Sequence, residues 1–501
     1  MDSQISSILW VCSLLLFCLL VATRVLKRNQ SPKLPPGPRT LPLIGNLHQI
    51  GGKMLHHNLA ELAKKHGPLM HLQLGEVSTI VVSSPETATE ILKTQDLVFA
   101  HRPSLTAVNV VGYGSSGIAF APYGNYWRQM RKLCVIEVLS ASRVQQFGPI
   151  REEEVSNLVA AIASNVGSPV NLSDNILSLT HAITSRAALG DTCKDQKQFM
   201  SIMLQVLKLT QGFCLADMYP SVPGLQLITG LKFKLEKLRR EMDLVLGNII
   251  NDHRSESNVV DRGQADKDLV DVLLKLQQDG GLEFPISDDN IKAVILDIFS
   301  AGGETSATTI KWALSEMIKK PSVLRKAQEE VRRVFNGKEN IDERGIVVAE
   351  LKYLRAVIKE TLRLHPPLPL LIARESRDKC EVKGYEIPVK TRVIINAWAI
   401  GRDARHWSEA ETFWPERFLD GSVDYRGTHF QYIPFGGGRR MCPGISFAEP
   451  NIELPLAKLL YHFDWELPDG MEPKDVDMME AFGLIVRRKN HLFLVPTRYL
   501  H

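Results

Sequence analysis

The sequence predicts a mainly α-helical body with small β-sheets (an α+β fold), preceded by one N-terminal transmembrane helix. Helical periodicity dominates the body, as in LHHNLAELAKKHG (55–67), VLRKAQEEVRRVFNG (323–337) and AELKYLRAVIKETLRLH (349–365). Strand-like alternation is confined to short runs near the two ends of the body, namely MHLQLG, STIVVSS, KTRVIINAWAI and HLFLVPT. Residues 5–23 form an uncharged run that is long enough to cross a bilayer as a helix.

This uncharged run predicts a membrane anchor over residues 1–28. The alternative is a cleaved signal peptide, but such a peptide carries positive charge before its apolar run. Here Asp2 is the only charged side chain before the run, and Arg24, Lys27 and Arg28 follow it. By the positive-inside rule the N-terminus faces the lumen, and the catalytic body stays in the cytosol.

The next segment, residues 29–45, is predicted to be a stiff linker. Five prolines lie between Pro32 and Pro42, and a segment of this kind is extended rather than helical. After it, residues 46–501 contain no internal repeat, and we interpret them as one domain. Within this domain the polar, aperiodic residues 251–268 are predicted to form a surface loop.

Charge and cysteine content exclude several classes of protein. The net charge of +4 is small for 501 residues, so no general affinity for nucleic acid is expected. The seven cysteines are scattered and include no CxxC pair, which argues against a disulfide framework and a structural zinc site. GYGSSG (112–117) fits a dinucleotide-binding pattern, which requires a helix directly after its glycines. Pro122 and Gly124 would break an early helix there, so the pattern does not indicate a nucleotide-binding fold.

Two pairs of residues share a helical face. Trp127 and Arg131 are spaced i, i+4 in YWRQMRK. They belong either to an amphipathic helix with basic edges or to a pair of donors that reach one anionic group. Glu360 and Arg363 are spaced i, i+3, and with Arg417 of WPERF they form either an exposed ion pair or a buried structural network.

The run from residue 288 to 318 predicts a long apolar helix with an irregular centre. That centre, AGGETS (301–306), contains poor helix formers, so we expect a bulge or kink there. One interpretation is a packing notch at Gly302 and Gly303. The other is a groove beside a cofactor, with Glu304 and Thr305 turned toward it to pass protons.

PFGGGRRMCPG (434–444) holds a single cysteine, Cys442, in a segment that is unsuited to helix or strand. Glycines let backbone approach a bulky group closely, and arginines bind anionic oxygens. A cysteine surrounded by donors favours the thiolate form. These residues together predict a flat ligand that is anionic at its edge and has a metal at its centre.

With these motifs in this order, the chain resembles the cytochrome P450 superfamily of haem-thiolate monooxygenases. More narrowly, it is similar to the plant microsomal A-type clan of specialised metabolism. PPGPRTLPLIGNL, APYGNYWRQMRK, ETLRLHPPLPLL, NAWAIGRD, PERF and PFGGGRRMCPG all match, and the match covers essentially the full length. The resemblance implies the cytochrome P450 fold and haem b as the cofactor.

The resemblance also assigns roles to residues. It implies that Cys442 is the axial thiolate ligand of the haem iron, and that Glu304 and Thr305 are catalytic and relay protons. The haem propionates would be held by Trp127, Arg131, Arg374 (from its place in PLLIARE) and Arg440. Glu360, Arg363 and Arg417 would stabilise the fold, and Pro455 would kink the helix after Cys442.

The function implied is hydroxylation of an apolar plant specialised metabolite, with a terpenoid favoured over an alkaloid or phenylpropanoid. Dioxygen and a membrane-bound NADPH-cytochrome reductase would supply oxygen and electrons, with the enzyme anchored in the endoplasmic reticulum membrane by a single span. A haem-thiolate isomerase or dehydratase and a non-enzymatic haem sensor are the competing hypotheses. The apolar stretches expected to line the substrate cavity are 101–121, Leu296–Thr305, Leu368–Ile372 and Ala481–Val486. Arg128, Lys132 and Arg439 are the expected reductase contacts.

Overall fold

A computed structural model describes residues 32–52, 54–190, 196–209, 214–222, 224–257, 268–338, 341–349 and 351–499. The predicted anchor, residues 1–28, lies outside the described residues, as do the first residues of the linker. No helix within the described ranges combines the length and apolar character needed to cross a bilayer.

Helices dominate the described chain, as predicted. The longer ones are Leu55–His66, Asn125–Leu133, Gly148–Ala163, Leu172–Leu189, Gln196–Leu209, Leu231–Ser257, Leu269–Asp279, Asp288–Lys319, Pro321–Val334, Lys352–Leu364 and Ile445–His462. Shorter α-helices are Leu47–Ile50, Pro85–Thr89, Asp96–Phe99, Thr106–Val111, Ala141–Gln146, Leu215–Met218, Leu225–Ile228, Glu343–Ala349 and Ala397–Ile400. Single π turns span Glu90–Thr94 and Cys134–Val138, and 3-10 turns span Pro415–Phe418, Gly438–Arg440 and Pro473–Asp475.

The strands form three small sheets, two of which join distant parts of the chain. A four-stranded sheet has the order Leu69–Leu74, Val77–Val82, Arg392–Ile395, Arg374–Glu375. A three-stranded sheet has the order Val170–Asn171, Phe493–Arg498, Phe463–Glu466, and Cys380–Val382 pairs with Tyr385–Ile387.

The four-stranded sheet fixes one end of the body. Its first two strands are antiparallel, with Leu69 opposite Val82, and Thr79 pairs in parallel register with Arg392. Parallel neighbours need a crossover, and here the crossover contains most of the helices. The sheet therefore ties the beginning of the body to the segment that carries Arg374.

Some predicted elements differ from the structure at their ends. The predicted helix 349–365 begins three residues later, as Lys352–Leu364, and Ala349 instead ends a separate helix, Glu343–Ala349. KTRVIINAWAI divides into a strand and a short helix, because the Asn396 side chain accepts a hydrogen bond from the Ala399 N–H and caps a new helix. The loop predicted at 251–268 was wrong for its first part, since Leu231–Ser257 is helical; residues 258–267 lie outside the described residues.

The central helix, Asp288–Lys319, runs as unbroken α-helix through AGGETS with no π turn there, so the predicted bulge was wrong. It begins with a capping box in which Ser287 and Asn290 bond each other's backbone N–H. The hydroxyls of Thr305 and Ser306 donate to the carbonyls of Ala301 and Gly302, four residues back. These bonds keep the poor helix formers within regular helix.

The helix after the cysteine, Ile445–His462, likewise continues through both Pro450 and Pro455. Each proline removes one backbone N–H donor from the helix. Leu456 and Leu459 are fully buried on this helix. Burial of its apolar side chains outweighs the lost hydrogen bonds and keeps the helix in one piece.

Glu360, Arg363 and Arg417 form a buried network, as one of the two sequence interpretations predicted. Arg363 binds Glu360 through two hydrogen bonds of 2.7 and 2.8 Å, and Arg417 donates to the same carboxylate over 3.1 Å. Arg363 also donates to the carbonyls of Gly401 and Ala410. Both members of the first pair are fully buried, so neither charge is hydrated.

Glu360→Gln is expected to destabilise the protein by about 3–5 kcal/mol, because Arg363 stays buried without its counter-charge. The measurement is the midpoint of unfolding in urea. Glu236→Gln is the matched control, since Glu236 forms an exposed ion pair with Lys232 and its loss should change stability by less than about 0.5 kcal/mol. Equal midpoints for both variants would contradict a structural role for the network.

Candidate active site

Cys442 lies between the turn Gly438–Arg440 and the helix Ile445–His462. Its N–H donates to the Phe435 carbonyl over 3.0 Å, and its Sγ accepts from the Gly444 N–H at 3.4 Å. Gly438 has φ +65°, and a Cβ there would lie 2.1 Å from the Leu92 carbonyl oxygen. This position therefore requires glycine, as the sequence predicted for the loop.

The side chain of Cys442 is solvent-exposed, yet protein atoms surround it densely enough to affect its ionisation. Burial raises the pKa of the Cys442 thiol, while the Gly444 N–H and Arg131 lower it, and the net direction is upward. The neighbouring donors therefore offset burial only in part. A metal cation bound at the sulfur deprotonates a thiol regardless of such a shift.

The centre of the central helix has an open face. Ala301 is exposed, and Gly302 and Thr305 are half-buried, although the helix is buried along most of its length. A Cβ on Gly302 would lie 3.5 Å from a ring carbon of Phe447, five residues after Cys442. The start of the helix that follows Cys442 therefore packs against the centre of the central helix.

The two glycines of AGGETS are packing notches. A Cβ on Gly302 would lie 3.0 Å from Thr184 Cγ2, and one on Gly303 would lie 2.8 Å from His181 Nδ1. Both contacts bring the helix Leu172–Leu189 against the central helix. The packing interpretation is thus confirmed for the glycines, and the groove interpretation applies to the other face.

Glu304 and Thr305 point to different surroundings. Thr305 Oγ donates to the Ala301 carbonyl on the open face. Glu304 is buried, with His181 and Arg487 nitrogens 3.8 and 3.7 Å from its oxygens, distances that favour charge attraction rather than hydrogen bonds. Burial alone would raise the pKa of Glu304, but His181, Lys311 and Arg487 together lower it.

Trp127 lies at the centre of a group of guanidinium groups. Its Nε1 donates to the Ile118 carbonyl over 2.9 Å, and the Arg440 and Arg131 guanidinium carbons lie 4.1 and 5.7 Å from its ring centroid. Arg440 donates to the Ala100 carbonyl over 2.8 Å. Arg131 donates to the backbone carbonyl of the residue before Cys442.

Two further arginines complete this arginine cluster, which comprises Arg102, Arg131, Arg374 and Arg440. Arg374 binds Asp96 over 2.8 Å. Arg102, which sequence reasoning missed, is buried and donates to the carbonyls of residues 119, 372 and 373. Its only sequence signal is its place before Pro103, since its partners are distant along the chain.

The arginine cluster has more positive than negative charge. Burial, and after it repulsion by Arg374 and Arg131, lower the pKa of Arg440 to about 9. The same three arginines lower the pKa of Arg102, after burial. Among the described residues, Asp96 is the one carboxylate that is hydrogen-bonded to the cluster. A ligand with two acidic groups fits this charge imbalance.

Asp297 is a second residue that sequence reasoning missed. Its Oδ2 accepts from the Ala119 N–H over 2.9 Å, and a Cβ on Gly117 would lie 2.3 Å from that oxygen. Burial raises the pKa of Asp297 to about 6, against the backbone N–H groups that lower it. This contact holds the segment before Trp127 against the central helix.

Comparison with known proteins identifies the fold and chemistry of this arrangement. The family model described as Cytochrome P450 matches residues 35–495. This chain belongs to the cytochrome P450 family. It is 54% identical to desmethyl-deoxy-podophyllotoxin synthase of Sinopodophyllum hexandrum, over 97% of this chain and 96% of that one. It is 51% identical to tabersonine 6,7-epoxidase isoform 1 of Catharanthus roseus, over 94% and 93% of the two chains.

A solved structure shares the fold of this P450. The zebra fish cytochrome P450 crystallised with progesterone superposes with a TM-score of 0.76 at 24% identity, covering 89% of this chain and all of that one. The mainly helical fold with small sheets is therefore the cytochrome P450 fold. Since P450 enzymes are monooxygenases, the chain is an oxidoreductase of that type.

The family uses haem with an axial cysteine thiolate, and the residues of this P450 fit that group. The arginine cluster would supply positive charge for two propionates. Cys442 supplies an exposed sulfur beside it, as the bond from Arg131 to the neighbouring carbonyl indicates.

Three of the four stretches predicted to line the substrate cavity meet at one pocket. It is lined by Met54, Leu55, His56, Pro103, Leu105, Phe120, Pro369, Leu370, Leu371, Ile372, Ala373, Arg392, Ile394, Phe482, Gly483 and Leu484. The fourth stretch, Leu296–Thr305, does not line this pocket. Residues 54–56 were missed, since their contact depends on the sheet that brings the beginning of the body to residues 392–395.

Arg440→Met is expected to speed loss of haem about ten-fold or more, because a buried charge-assisted contact to a propionate is worth about 1.5–3 kcal/mol. The measurement is the rate of haem transfer from the purified enzyme to excess apomyoglobin. Arg439→Met is the matched control, since Arg439 is adjacent but exposed. An unchanged rate in Arg440→Met would remove this residue from the haem site.

Proposed function

We propose that this P450 hydroxylates an apolar plant specialised metabolite, with a terpenoid favoured. The observation that carries the proposal is the chemistry of the pocket lined by residues 54–56, 369–373 and 482–484. Two ionisable side chains, His56 and Arg392, are among its described lining residues, and a carboxylate is not. A scaffold with few polar groups and no positive charge suits such a lining.

An alkaloid or phenylpropanoid substrate is the second candidate. Relatives named for tabersonine chemistry and for podophyllotoxin formation favour it. A protonated amine, however, would be expected to meet a carboxylate in its pocket. The apolar lining therefore ranks a neutral terpenoid ahead of an amine.

Bound haem supplies an iron at which dioxygen is activated for transfer of one oxygen atom to the substrate. We assign Cys442 as the axial ligand, with the Gly444 N–H tuning its sulfur. We assign the propionates to Trp127, Arg131, Arg374 and Arg440, with Arg102 added to the predicted set. Each of these groups already has a fixed position, which lowers the entropy lost on binding haem.

Thr305 and Glu304 are assigned to proton transfer. The Thr305 hydroxyl lies on the open face and is bonded to the Ala301 carbonyl, so rotation about χ1 can present it to a ligand. Glu304 stays ionised beside His181 and Arg487, which connect it to the helix Leu172–Leu189 and to the C-terminal segment. The Glu304 carboxylate can accept and return protons that the Thr305 hydroxyl passes to the ligand.

Electrons would come from an NADPH-cytochrome reductase at the endoplasmic reticulum membrane. Arg128 and Lys132 are exposed on the helix Asn125–Leu133, and Arg439 is exposed beside the cysteine segment. These cations suit an acidic partner. The uncharged run at residues 5–23 supports a single membrane span with the catalytic domain in the cytosol.

The test is turnover by microsomes that contain this P450 and a plant reductase. The microsomes are given equal panels of terpenoid hydrocarbons, neutral phenylpropanoids and amine-bearing alkaloids. Mass spectrometry then detects products that are one oxygen atom heavier than the substrate. We expect NADPH-dependent products from the terpenoid panel. Products from the alkaloid panel alone would contradict the assignment of substrate class, and NADPH-dependent products from no panel would contradict the proposed activity.

Thr305→Ala is expected to retain haem but to divert reducing equivalents to peroxide, because the hydroxyl no longer directs protons. The measurement is the ratio of product to NADPH consumed, with peroxide assayed in parallel. Ser306→Ala is the matched control, since Ser306 makes the same bond to the i−4 carbonyl from a buried face. Equal coupling ratios in both variants would contradict the relay role.

A further inference from the structure

His56, His57 and Glu480 form a cluster away from the arginine cluster and Cys442. The Nε2 atoms of His56 and His57 lie 3.0 and 3.2 Å from the same Glu480 oxygen. One donor atom from each of the three residues lies within 4.8 Å of the other two. Two imidazoles and one carboxylate form a ligand set that zinc and other first-row divalent cations prefer.

The orientation of these groups differs from that of an ordinary ion pair. Both Nε2 atoms and the Glu480 Oε2 are buried, and within the described chain none of the three has a hydrogen-bond partner of acceptable geometry. The two distances from imidazole Nε2 to the Glu480 oxygen are short enough for hydrogen bonds, but the angles are not. Two zinc ligands at about 2.0–2.2 Å from the metal lie about 3.3 Å apart at tetrahedral angles, which is close to both distances.

The surrounding residues fix both imidazoles. The Trp398 indole stacks on the His57 ring at 4.4 Å and meets the His56 ring edge-on at 5.2 Å. The Asn396 amide donates to the backbone carbonyl of His56 over 2.8 Å. The His57 side chain is 40% exposed, which leaves a route from solvent to the cluster. Preorganised ligands of this kind bind metals more tightly than mobile ones.

Arg402 is the cation that opposes a metal at this place. Its guanidinium stacks on the Trp398 ring at 4.1 Å and is paired with Glu411 over 3.1 Å. The indole also stacks on His57, and Glu411 offsets the arginine charge. The Arg402 charge is therefore separated from the histidine cluster by the indole and partly neutralised by Glu411.

A second cluster of histidine and aspartate side chains, by contrast, is fully hydrogen-bonded within the protein. His253 and Asp268 lie 2.8 Å apart with hydrogen-bonding geometry, and Asp268 also accepts from the Asp271 N–H to cap a helix. Those side chains have their partners within the protein. The cluster at His56 does not, and this contrast points to a missing ligand rather than to a shared proton.

We propose that His56, His57 and Glu480 bind one zinc-class divalent cation, with a fourth position open to water. The site joins the helix Leu55–His66 to the C-terminal segment that carries Phe482, Gly483 and Leu484 along the pocket. A bound cation holds this wall of the pocket in place. The proposal is independent of the proposed substrate class.

The test uses the haem-loaded, full-length enzyme, purified without a histidine tag and treated with chelator. It is then equilibrated with buffered zinc at micromolar free concentration and desalted, and zinc is counted by mass spectrometry. We expect one equivalent more zinc in the wild type than in Glu480→Gln or His57→Gln, whose affinity should fall at least about ten-fold. His66→Gln, a histidine change at the other end of the same helix, should retain as much as the wild type.

A second measurement separates a specific site from scattered surface binding. Hydrogen exchange of residues 480–488 should slow on addition of zinc in the wild type and in His66→Gln, but not in Glu480→Gln. Equal zinc content in the wild type and Glu480→Gln, or no zinc retained by the wild type, would overturn the proposal. Zinc-independent exchange at 480–488 would overturn its role in holding the pocket wall.

Discussion

Three buried guanidinium groups and a half-buried fourth, with one hydrogen-bonded carboxylate, impose the constraint on which the rest of the structure depends. Each of Arg102, Arg374 and Arg440 is more than nine-tenths buried, and mutual repulsion lowers the pKa of Arg102 and Arg440 further. A ligand with acidic groups would compensate for such a cost. Haem carries two carboxylates, so the arginine cluster would hold that edge of the ring, and Cys442 would supply the sulfur ligand.

Glycine makes the geometry around that ring possible in two different ways. Gly438 adopts a left-handed conformation where any side chain would strike the Leu92 carbonyl, and this fixes the path of the backbone to Cys442. Gly303 has ordinary helical geometry and instead lets His181 pack closely. The same residue type thus serves a backbone constraint near the sulfur and a packing constraint on the central helix.

Local patterns predicted the helices, the short strands, the cysteine loop and the Glu360 network, because each depends on residues close together in the chain or on an ordered set of motifs. Patterns failed where distant contacts decide. Arg102 joins the cluster through carbonyls about 270 residues away. AGGETS was expected to interrupt its helix because its residues have low helix propensity. Propensity takes no account of hydroxyl groups that donate to the helix's own carbonyls, as the Thr305 hydroxyl does.

The claim that sulfur holds the iron is tested most directly by the absorption spectrum of the ferrous carbon-monoxide complex, recorded for the wild type and for Cys442→His. The account predicts a strongly red-shifted Soret band in the wild type, the signature of a thiolate opposite carbon monoxide, and its replacement by an unshifted band in Cys442→His. An unshifted band in the freshly prepared wild type, or a red-shifted band that survives the substitution, would contradict the account.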